Sequence, residues 1–319
     1  MANNTSNHNS PSTATHHITS SGAKVWCATF ATEAVLVATG NLFIITVFVK
    51  SRELYRRPQH FFLINLAVAD CLVGAFAEPL FVYILGGFYN LWSFKAQTSL
   101  GDAVVLLDMF SGISSVAFLT VIALERLYAT VRPAIYRNGT KKWLYALVAV
   151  ALWTLSAAIS FVRLMFGNNS ESFYVWMPFV CVLLLLIGLA YFIIWVKLLY
   201  FSPKRLQHTR ERKLNVTLTI LTLTSLSTWL PFIILNTVNM FRPVNLQAVY
   251  ATKVLHYGNS LVNPFLFSLK MPMFKKGAKK IFCTPKRNNV QNFGFSTKNR
   301  RDTSLQSNEK IPNLKVTAV

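Results

Sequence analysis

Long apolar stretches alternate with short polar ones along most of the chain. Seven of them are long enough to cross about 30 Å of hydrocarbon as a helix, which takes about 20 residues. They cover residues 25–49, 60–86, 99–124, 143–166, 174–200, 214–240 and 248–269. A shorter amphipathic stretch follows at 273–282, with the pattern of a helix lying along the membrane surface. The pattern predicts an all-α integral membrane protein: a seven-transmembrane helix bundle with a short amphipathic eighth helix.

The same pattern divides the chain into four parts. Residues 1–24 are polar and form an extracellular, glycosylated N-terminal tail, and residues 25–270 form the seven-helix bundle. The eighth helix occupies 271–283, and the polar residues 284–319 form a disordered cytoplasmic tail. The N-terminal tail has no charged region followed by an apolar core, so we expect no cleavable signal peptide.

Composition agrees with a membrane protein, since 53% of the 319 residues are hydrophobic, only 13% are charged, and the mean hydropathy is +0.41. The net charge of +21 has a simple origin in topology. Lys and Arg cluster after the first, third, fifth and seventh stretches, whereas the opposite loops hold scattered bases such as Lys95 and Arg242. Because positive loops stay in the cytoplasm, we expect a multi-pass plasma-membrane protein with an extracellular N-terminus, and no nucleic-acid binding.

Modification sites follow from this topology. Asn3, Asn4 and Asn168 each begin an Asn-x-Ser/Thr sequence on the outer side and are glycosylation candidates. The four cysteines are too scattered for a disulfide framework or a metal site. Cys283 lies among basic residues just after the last apolar stretch, where palmitoylation and a free thiol are both reasonable interpretations.

Polar residues inside the apolar stretches are few, and such residues usually face the interior of a bundle. Asp70 lies in the middle of the second stretch, and Ser115, Asn259, Ser260 and Asn263 lie at similar depth in others. Such a set has the oxygen ligands for a small hard cation, or the groups for a hydrogen-bonded water cluster. The alternative is that these residues only join the helices to one another.

Six short motifs, in order and on the expected stretches, resemble those of rhodopsin-like (class A) G-protein-coupled receptors over about 41–283. They are Gly40-Asn41, Leu66–Asp70, Glu125-Arg126-Leu127, Trp153, Trp229-Leu230-Pro231 and Asn263-Pro264 with Phe267. Three positions depart from the family pattern: Leu127 and Phe267 replace tyrosines, and Thr228 replaces a cysteine.

The resemblance implies a conformational switch at the inner end of the bundle. Arg126 would pair with Glu125 and with Glu211 in the inactive state, and would release Glu211 when the sixth helix swings outward around Pro231. Asn263, Pro264 and Phe267 belong to the same switch. By the same resemblance, Asp70, Ser115, Asn259 and Asn263 correspond to an allosteric sodium site, and no other cofactor is expected.

The resemblance also places a ligand pocket near the outer end of the bundle. Asp108 stands where biogenic-amine receptors pair with the ligand ammonium, with Tyr257 beside it and Trp229 and Phe232 as an aromatic floor. Lys253 lies one turn above Tyr257, where it would neutralise Asp108 or Glu78, or hold an anionic group of the ligand. The usual outer disulfide is missing, because Gly101 replaces its cysteine on the third helix.

The function predicted from these residues is that of a receptor for an extracellular small-molecule ligand, an amine being one candidate, which activates a heterotrimeric G protein through Arg126. Peptide, nucleoside and lipid ligands remain alternatives, and a transporter is the rival class. The sequence shows no nucleophile–base pair, so we predict no enzyme activity. Further candidate partners are the lipid bilayer and, at the C-terminal tail, arrestin and a PDZ protein.

Overall fold

The computed structural model describes residues 18–55, 60–93, 98–137, 142–166, 170–200 and 210–282. All of them fall in the compact unit Met1–Thr284. The predicted modification sites Asn3, Asn4, Asn168 and Cys283, and the tail after it, lie outside the described residues.

Eleven α-helices and one π-helical segment make up the described part of the chain. They are α1 (Ser20–Lys50), α2 (Arg52–Tyr55), α3 (Phe61–Leu72), the π-helical segment Val73–Ala77, α4 (Glu78–Phe88), α5 (Thr98–Val131), α6 (Pro133–Arg137), α7 (Lys142–Phe166), α8 (Ser170–Tyr200), α9 (Arg210–Phe241), α10 (Leu246–Lys270) and α11 (Pro272–Phe282). A long helix covers each of the seven predicted spans, the second being α3 and α4 joined by the π-helical segment. The helix α11 coincides with the predicted eighth helix.

Five of the long helices in the described residues are also apolar enough by composition to cross a membrane: Ser20–Lys50, Phe61–Phe88, Leu100–Val131, Lys142–Phe166 and Phe173–Lys197. The other two long helices, α9 and α10, have a lower mean hydropathy because they carry more polar residues. Ser225 and Thr228 on α9, and Asn259 and Asn263 on α10, belong to this group, and all four are buried or half-buried. These helices therefore supply polar groups to the interior of the bundle.

The first helix begins five residues before the predicted span. Thr19 caps it, with its side-chain oxygen accepting a hydrogen bond from the Gly22 backbone N–H at 3.2 Å. A Thr side chain at this position satisfies one of the backbone donors that the first turn leaves unpaired. The helix therefore extends beyond the apolar stretch itself.

The proline in the second span has a visible effect on the backbone. The π-helical segment Val73–Ala77 immediately precedes Glu78 and Pro79. Proline lacks a backbone donor and its ring crowds the preceding turn, so a wider turn relieves the conflict. In the same segment a Cβ on Gly74 would lie 2.6 Å from the Ala38 nitrogen and 2.7 Å from the Ala34 oxygen, so only glycine allows this approach to α1.

The bundle is arranged around α5, whose residues 111–120 are all buried. This helix contacts α3, α7 and α8, while α10 packs against α1 and α9. Side-chain hydrogen bonds join the helices: Asn41 donates to the Ser260 carbonyl at 3.0 Å, and the Trp153 indole donates to Asn65 at 3.0 Å. The resulting interior presents polar groups at three depths.

Candidate functional site

The outermost polar feature is an ion pair between α5 and α10. The Lys253 ammonium lies 2.7 Å from an Asp108 carboxylate oxygen, and the two side chains are 12% and 16% exposed. Of the partners open to Lys253 from the sequence, the structure therefore selects Asp108. A half-buried pair at this distance gains a charge-assisted hydrogen bond as well as charge attraction.

Three aromatic rings surround the Lys253 ammonium. Its nitrogen lies 4.7 Å from the Tyr257 ring centroid, 5.0 Å from that of Phe81 and 5.7 Å from that of Phe232. Each distance is within the range of a cation–π interaction, which strengthens as water is removed. Together with the Asp108 carboxylate, these rings form what we call the ammonium cage: Phe81, Asp108, Phe232 and Tyr257.

Below the cage, His256 connects two of the predicted pocket residues. Its ring stacks on Phe232 at 4.3 Å between centroids with planes 12° apart, and meets the Trp229 ring edge-on at 4.3 Å. A cavity of about 20 Å³ lies here, with Asp108, Trp176, Trp229 and His256 among its lining residues. This volume is close to what one water molecule needs, so a ligand larger than that requires side chains to move.

Tyr257 adjoins the Asp108 carboxylate, as the resemblance implied. Its buried hydroxyl interacts with that carboxylate, although no hydrogen bond of standard geometry forms to it among the described residues. Lys253 makes the short contact with the carboxylate, and Tyr257 also presents its ring face to the ammonium.

Two glutamates adjoin the cage, and neither was assigned to the pocket from the sequence. Glu78 on α4 is fully buried and Glu33 on α1 is nearly so. The Glu78 carboxyl contacts that of Glu33, and interacts electrostatically with Asp108 and Lys253. A carboxylate inside an apolar stretch was the available signal, but the sequence alone does not show that α1 and α4 bring these two together.

The middle layer is centred on Asp70. Ser115 and Ser260 each donate a hydrogen bond to one of its carboxylate oxygens at 2.8 Å, and the Asn263 amide donates to the other. Asn259 was predicted to join this group, but its side-chain oxygen accepts from the Thr228 hydroxyl at 3.3 Å instead. Ser260, the next residue, supplies a hydroxyl donor to Asp70, since one residue along a helix turns the side chain by about 100°.

The Asp70 layer has a donor set that fits a sodium ion. It combines a carboxylate, hydroxyl oxygens and the buried Asn263 side-chain oxygen, which lacks a hydrogen-bond partner in the described part of the chain. Hard monovalent and divalent cations are bound by oxygens of these types. Among the described residues, no group of three or more His, Cys, Asp or Glu side chains is placed so that it could hold a metal ion.

At the inner end, Arg126 and Glu125 form the predicted pair. A guanidinium nitrogen lies 3.1 Å from one Glu125 oxygen, and the other oxygen accepts from Tyr136 at 2.8 Å and from Tyr145 at 3.1 Å. Burial, and then the Glu125 charge, raise the pKa of the Tyr136 hydroxyl far above its usual range, so this phenol remains a donor at any physiological pH. Sequence reasoning missed both tyrosines, which follow Glu125 by 11 and 20 residues.

The two further switch positions are Glu211 and Phe267. Glu211 lies in the first turn of α9, but its side chain is outside the described residues, so its pairing with Arg126 remains a prediction. Phe267 is completely buried, and its ring packs against Phe48 and Phe274 with centroids 6.1 and 6.4 Å apart. Where the family has a hydroxyl, this chain therefore has an apolar contact between α1, α10 and α11.

No disulfide joins the helices in the described part of the outer end. Cys27, Cys71 and Cys181, the cysteines in the described residues, are all free. A Cβ on Gly101 would meet nothing within 4 Å. The ion pair between Asp108 and Lys253 is therefore a main connection between α5 and α10 at this depth.

Comparison with known proteins agrees with these motifs. The family described as 7 transmembrane receptor (rhodopsin family) matches residues 40–175. The somatostatin receptor type 5 of Bos taurus is 28% identical over 275 residues, which cover 77% of this chain and 73% of that protein. The human 5-hydroxytryptamine receptor 4 is 26% identical over 323 residues, covering 82% and 80%. The D(1A) dopamine receptor of Didelphis virginiana is 33% identical over a shorter part, 131 residues, covering 39% and 26%.

These relatives are receptors and not enzymes, as predicted for this chain. The somatostatin and 5-hydroxytryptamine receptors are similar over more than three quarters of this chain. An extracellular ligand and a G protein are the partners that this class of protein has in common, and its members are multi-pass proteins of the plasma membrane. The family match and these relatives support the identification of the chain as a rhodopsin-like (class A) G-protein-coupled receptor.

Proposed function

We propose that this receptor recognises a ligand carrying a protonated amine in the outer pocket between α5, α8, α9 and α10. The observation that supports the proposal is the Asp108 carboxylate inside a set of aromatic faces, which already stabilises one ammonium group. Charge pairing and cation–π contact would favour the ammonium of a ligand in the same surroundings. Relatives named for 5-hydroxytryptamine and dopamine agree with this ligand class.

A peptide is the second candidate ligand. The relative named for somatostatin supports it. A peptide offers the same chemistry to Asp108 through its terminal or lysine ammonium, and without an outer disulfide in the described residues the pocket mouth has one constraint fewer. Both candidates therefore depend on the Asp108 carboxylate.

The proposal is tested by the response of cells expressing the receptor to 5-hydroxytryptamine, dopamine and somatostatin, with wild type and Asp108→Asn compared. Asp102→Asn is a matched control, because Asp102 is exposed on the same helix, six residues before Asp108. We expect Asp108→Asn to lower the potency of an active amine at least about 100-fold, since a charge-assisted pair in the pocket is lost. An amine response that survives Asp108→Asn at full potency removes Asp108 from the ligand site.

At the inner end, Arg126 is proposed as the switch. In the inactive state its guanidinium holds Glu125, which Tyr136 and Tyr145 fix in place, and Glu211 is a further proposed partner. In the active state Arg126 leaves this cluster, α9 moves outward around Pro231, and the arginine faces the G protein. A buried ion pair with alternative partners suits a two-state element, because intermediate positions leave the charges unpaired.

The switch is tested by ligand-dependent nucleotide exchange with Arg126→Ala. The control is Arg132→Ala, because Arg132 is exposed just after the same helix. We expect Arg126→Ala to abolish exchange while surface expression persists, and Arg132→Ala to retain it. Full exchange by Arg126→Ala would overturn the switch.

Two further parts of the proposal concern ions and topology. A sodium ion at the Asp70 layer would be held by Asp70, Ser115 and the Asn263 oxygen, and would favour the inactive bundle if that state coordinates it better. The charge distribution supports an extracellular N-terminus, which places Asn3, Asn4 and Asn168 outside for glycosylation. Cys283 is the proposed palmitoylation site, and the tail after it is the proposed binding site of arrestin and a PDZ protein.

A further inference from the structure

We propose that Lys253 is a displaceable internal cation: it occupies the ammonium cage in the absence of ligand, and moves to Glu78 when a ligand ammonium enters the cage. The inference rests on the proposed amine binding at Asp108 and adds to it a second partner for Lys253. It assigns Glu78, which has no role in the family motifs, to ligand recognition.

The first observation is that the cage is already filled by a group of the ligand's own class. Lys253 presents a primary ammonium at 2.7 Å from Asp108 and within 5.7 Å of three ring centroids. A ligand ammonium can reach the same carboxylate oxygen only where the lysine has left it. Binding is therefore an exchange of one ammonium for another.

The second observation is an excess of acid around the cage. Asp108, Glu78 and Glu33 interact with one another and with the single ammonium of Lys253. The Glu78 and Glu33 carboxyls also contact each other, and the buried Tyr257 side chain interacts with all three acids. Three acids thus adjoin a single ammonium, and the cluster has carboxyl oxygens available to pair with a second cation.

The third observation places Glu78 within reach of the lysine. Phe81, whose ring centroid is 5.0 Å from the Lys253 nitrogen, lies three residues after Glu78 on the same face of α4. The Glu33 side chain reaches from α1 to α10, where a Cβ on Gly258 would lie 3.1 Å from its carboxyl oxygen. The Glu78 carboxyl and the Lys253 ammonium already interact electrostatically, so a rotation of the flexible lysine side chain is the movement that would exchange Asp108 for Glu78.

Energetics favour the exchange over simple expulsion of Lys253. A lysine ammonium released from Asp108 without a new partner would remain as an uncompensated charge in the bundle, which is strongly unfavourable. Glu78 supplies that partner. An anionic ligand on Lys253, the alternative, would leave Asp108 uncompensated beside two other acids, so the same reasoning disfavours it.

The cage is tested with n-butylamine, a primary amine one methylene longer than the three-carbon segment that Lys253→Ala removes. We expect n-butylamine to raise the thermal unfolding midpoint of the purified full-length Lys253→Ala receptor by about 3 °C or more at saturation. The midpoint should not move for the Asp108→Asn/Lys253→Ala double variant, nor for Lys270→Ala, which removes an exposed lysine at the end of the same helix. No shift in Lys253→Ala, or an equal shift in all three, would overturn the proposal.

The alternative partner is tested without any ligand and with Lys253 intact. The midpoints of Asp108→Asn, Glu78→Gln and the double variant are compared with wild type. Because Lys253 keeps one acid in each single variant and loses both in the double variant, the double variant should lose clearly more than the sum of the two single losses. Additive losses would show that Lys253 does not exchange between these acids.

The outcomes separate this inference from the proposed function. Amine responses that depend on Asp108, together with additive midpoints, would keep the ligand class and reject the exchange. Rescue by n-butylamine and non-additive midpoints, without any amine response in wild type, would keep the cage and the exchange and reject the amine as the natural ligand.

Discussion

The Tyr145 hydroxyl on α7 donates a hydrogen bond of 3.1 Å to Glu125, the carboxylate that also holds Arg126. Tyr136 donates to the same oxygen at 2.8 Å. The two phenols therefore fix the acid that restrains the arginine. They link α6 and the first turn of α7, at the G-protein end of the bundle in the proposed topology, to the switch residue on α5.

Removal of one of these donors should raise basal signalling. Tyr145→Phe deletes a hydrogen bond to a charged group, worth about 1.5–3 kcal/mol, and if that bond exists only in the inactive state the active population rises by roughly tenfold or more. Basal nucleotide exchange at matched surface expression measures this effect. Tyr128→Phe is the control, because Tyr128 is exposed on α5 and the change deletes the same hydroxyl. Equal basal exchange in wild type and Tyr145→Phe would contradict the role given to this hydrogen bond.

The Asp70 layer should confer sensitivity to sodium. Asp70→Asn removes the negative charge that a cation requires, so agonist affinity should become independent of sodium concentration, whereas wild-type affinity falls as sodium rises. Radioligand competition in sodium and in N-methylglucamine buffers measures the difference. Ser115→Ala should weaken the sodium effect, while Ser114→Ala should not, because the Ser114 hydroxyl makes no hydrogen bond to the described residues. Sodium sensitivity that persists in Asp70→Asn places the ion elsewhere.

A methyl group should be tolerated at one glycine of the bundle and not at another. Gly74→Ala would place a Cβ about 2.6 Å from the backbone of α1, so α1 and the π-helical segment must separate, at a cost of about 1–3 kcal/mol. A Cβ at Gly188 on α8 meets nothing within 4 Å, so Gly188→Ala should be neutral or stabilising by up to about 1 kcal/mol. Thermal unfolding of the two purified variants gives the comparison. A Gly74→Ala receptor as stable as wild type would show that the two segments separate freely.

The His256 ring should transmit the effect of ligand binding from the ammonium cage to Trp229. His256→Ala removes the contacts with both Phe232 and Trp229. The coupling between amine binding and G-protein binding is measured as the ratio of agonist affinities with and without G protein. We expect this ratio to fall by roughly 2- to 30-fold. Leu255→Ala, at the exposed neighbouring position, should leave this ratio unchanged. An unchanged ratio in His256→Ala would remove the histidine from the coupling route.

The hydrophobic pattern along the chain determines the number of membrane-spanning helices, their order and their approximate ends. Each span needs an apolar stretch long enough to cross the bilayer, and the length of such a stretch can be read directly from the sequence. The same holds for the Glu125–Arg126 pair, whose members are neighbours in sequence. Where a local group adds to the pattern, as Thr19 does in capping α1, the boundary moves by a few residues.

Tertiary structure alone decides which polar groups meet. Lys253 pairs with Asp108 and not with Glu78, Ser260 and not Asn259 donates to Asp70, and two tyrosines far along the chain converge on Glu125. Each outcome depends on the rotation and depth of one helix relative to another, which is set by close contacts such as that of Gly74 with α1. A shift of one residue turns a side chain by about 100°, so a motif can place a residue at the right depth and still leave its partner undetermined.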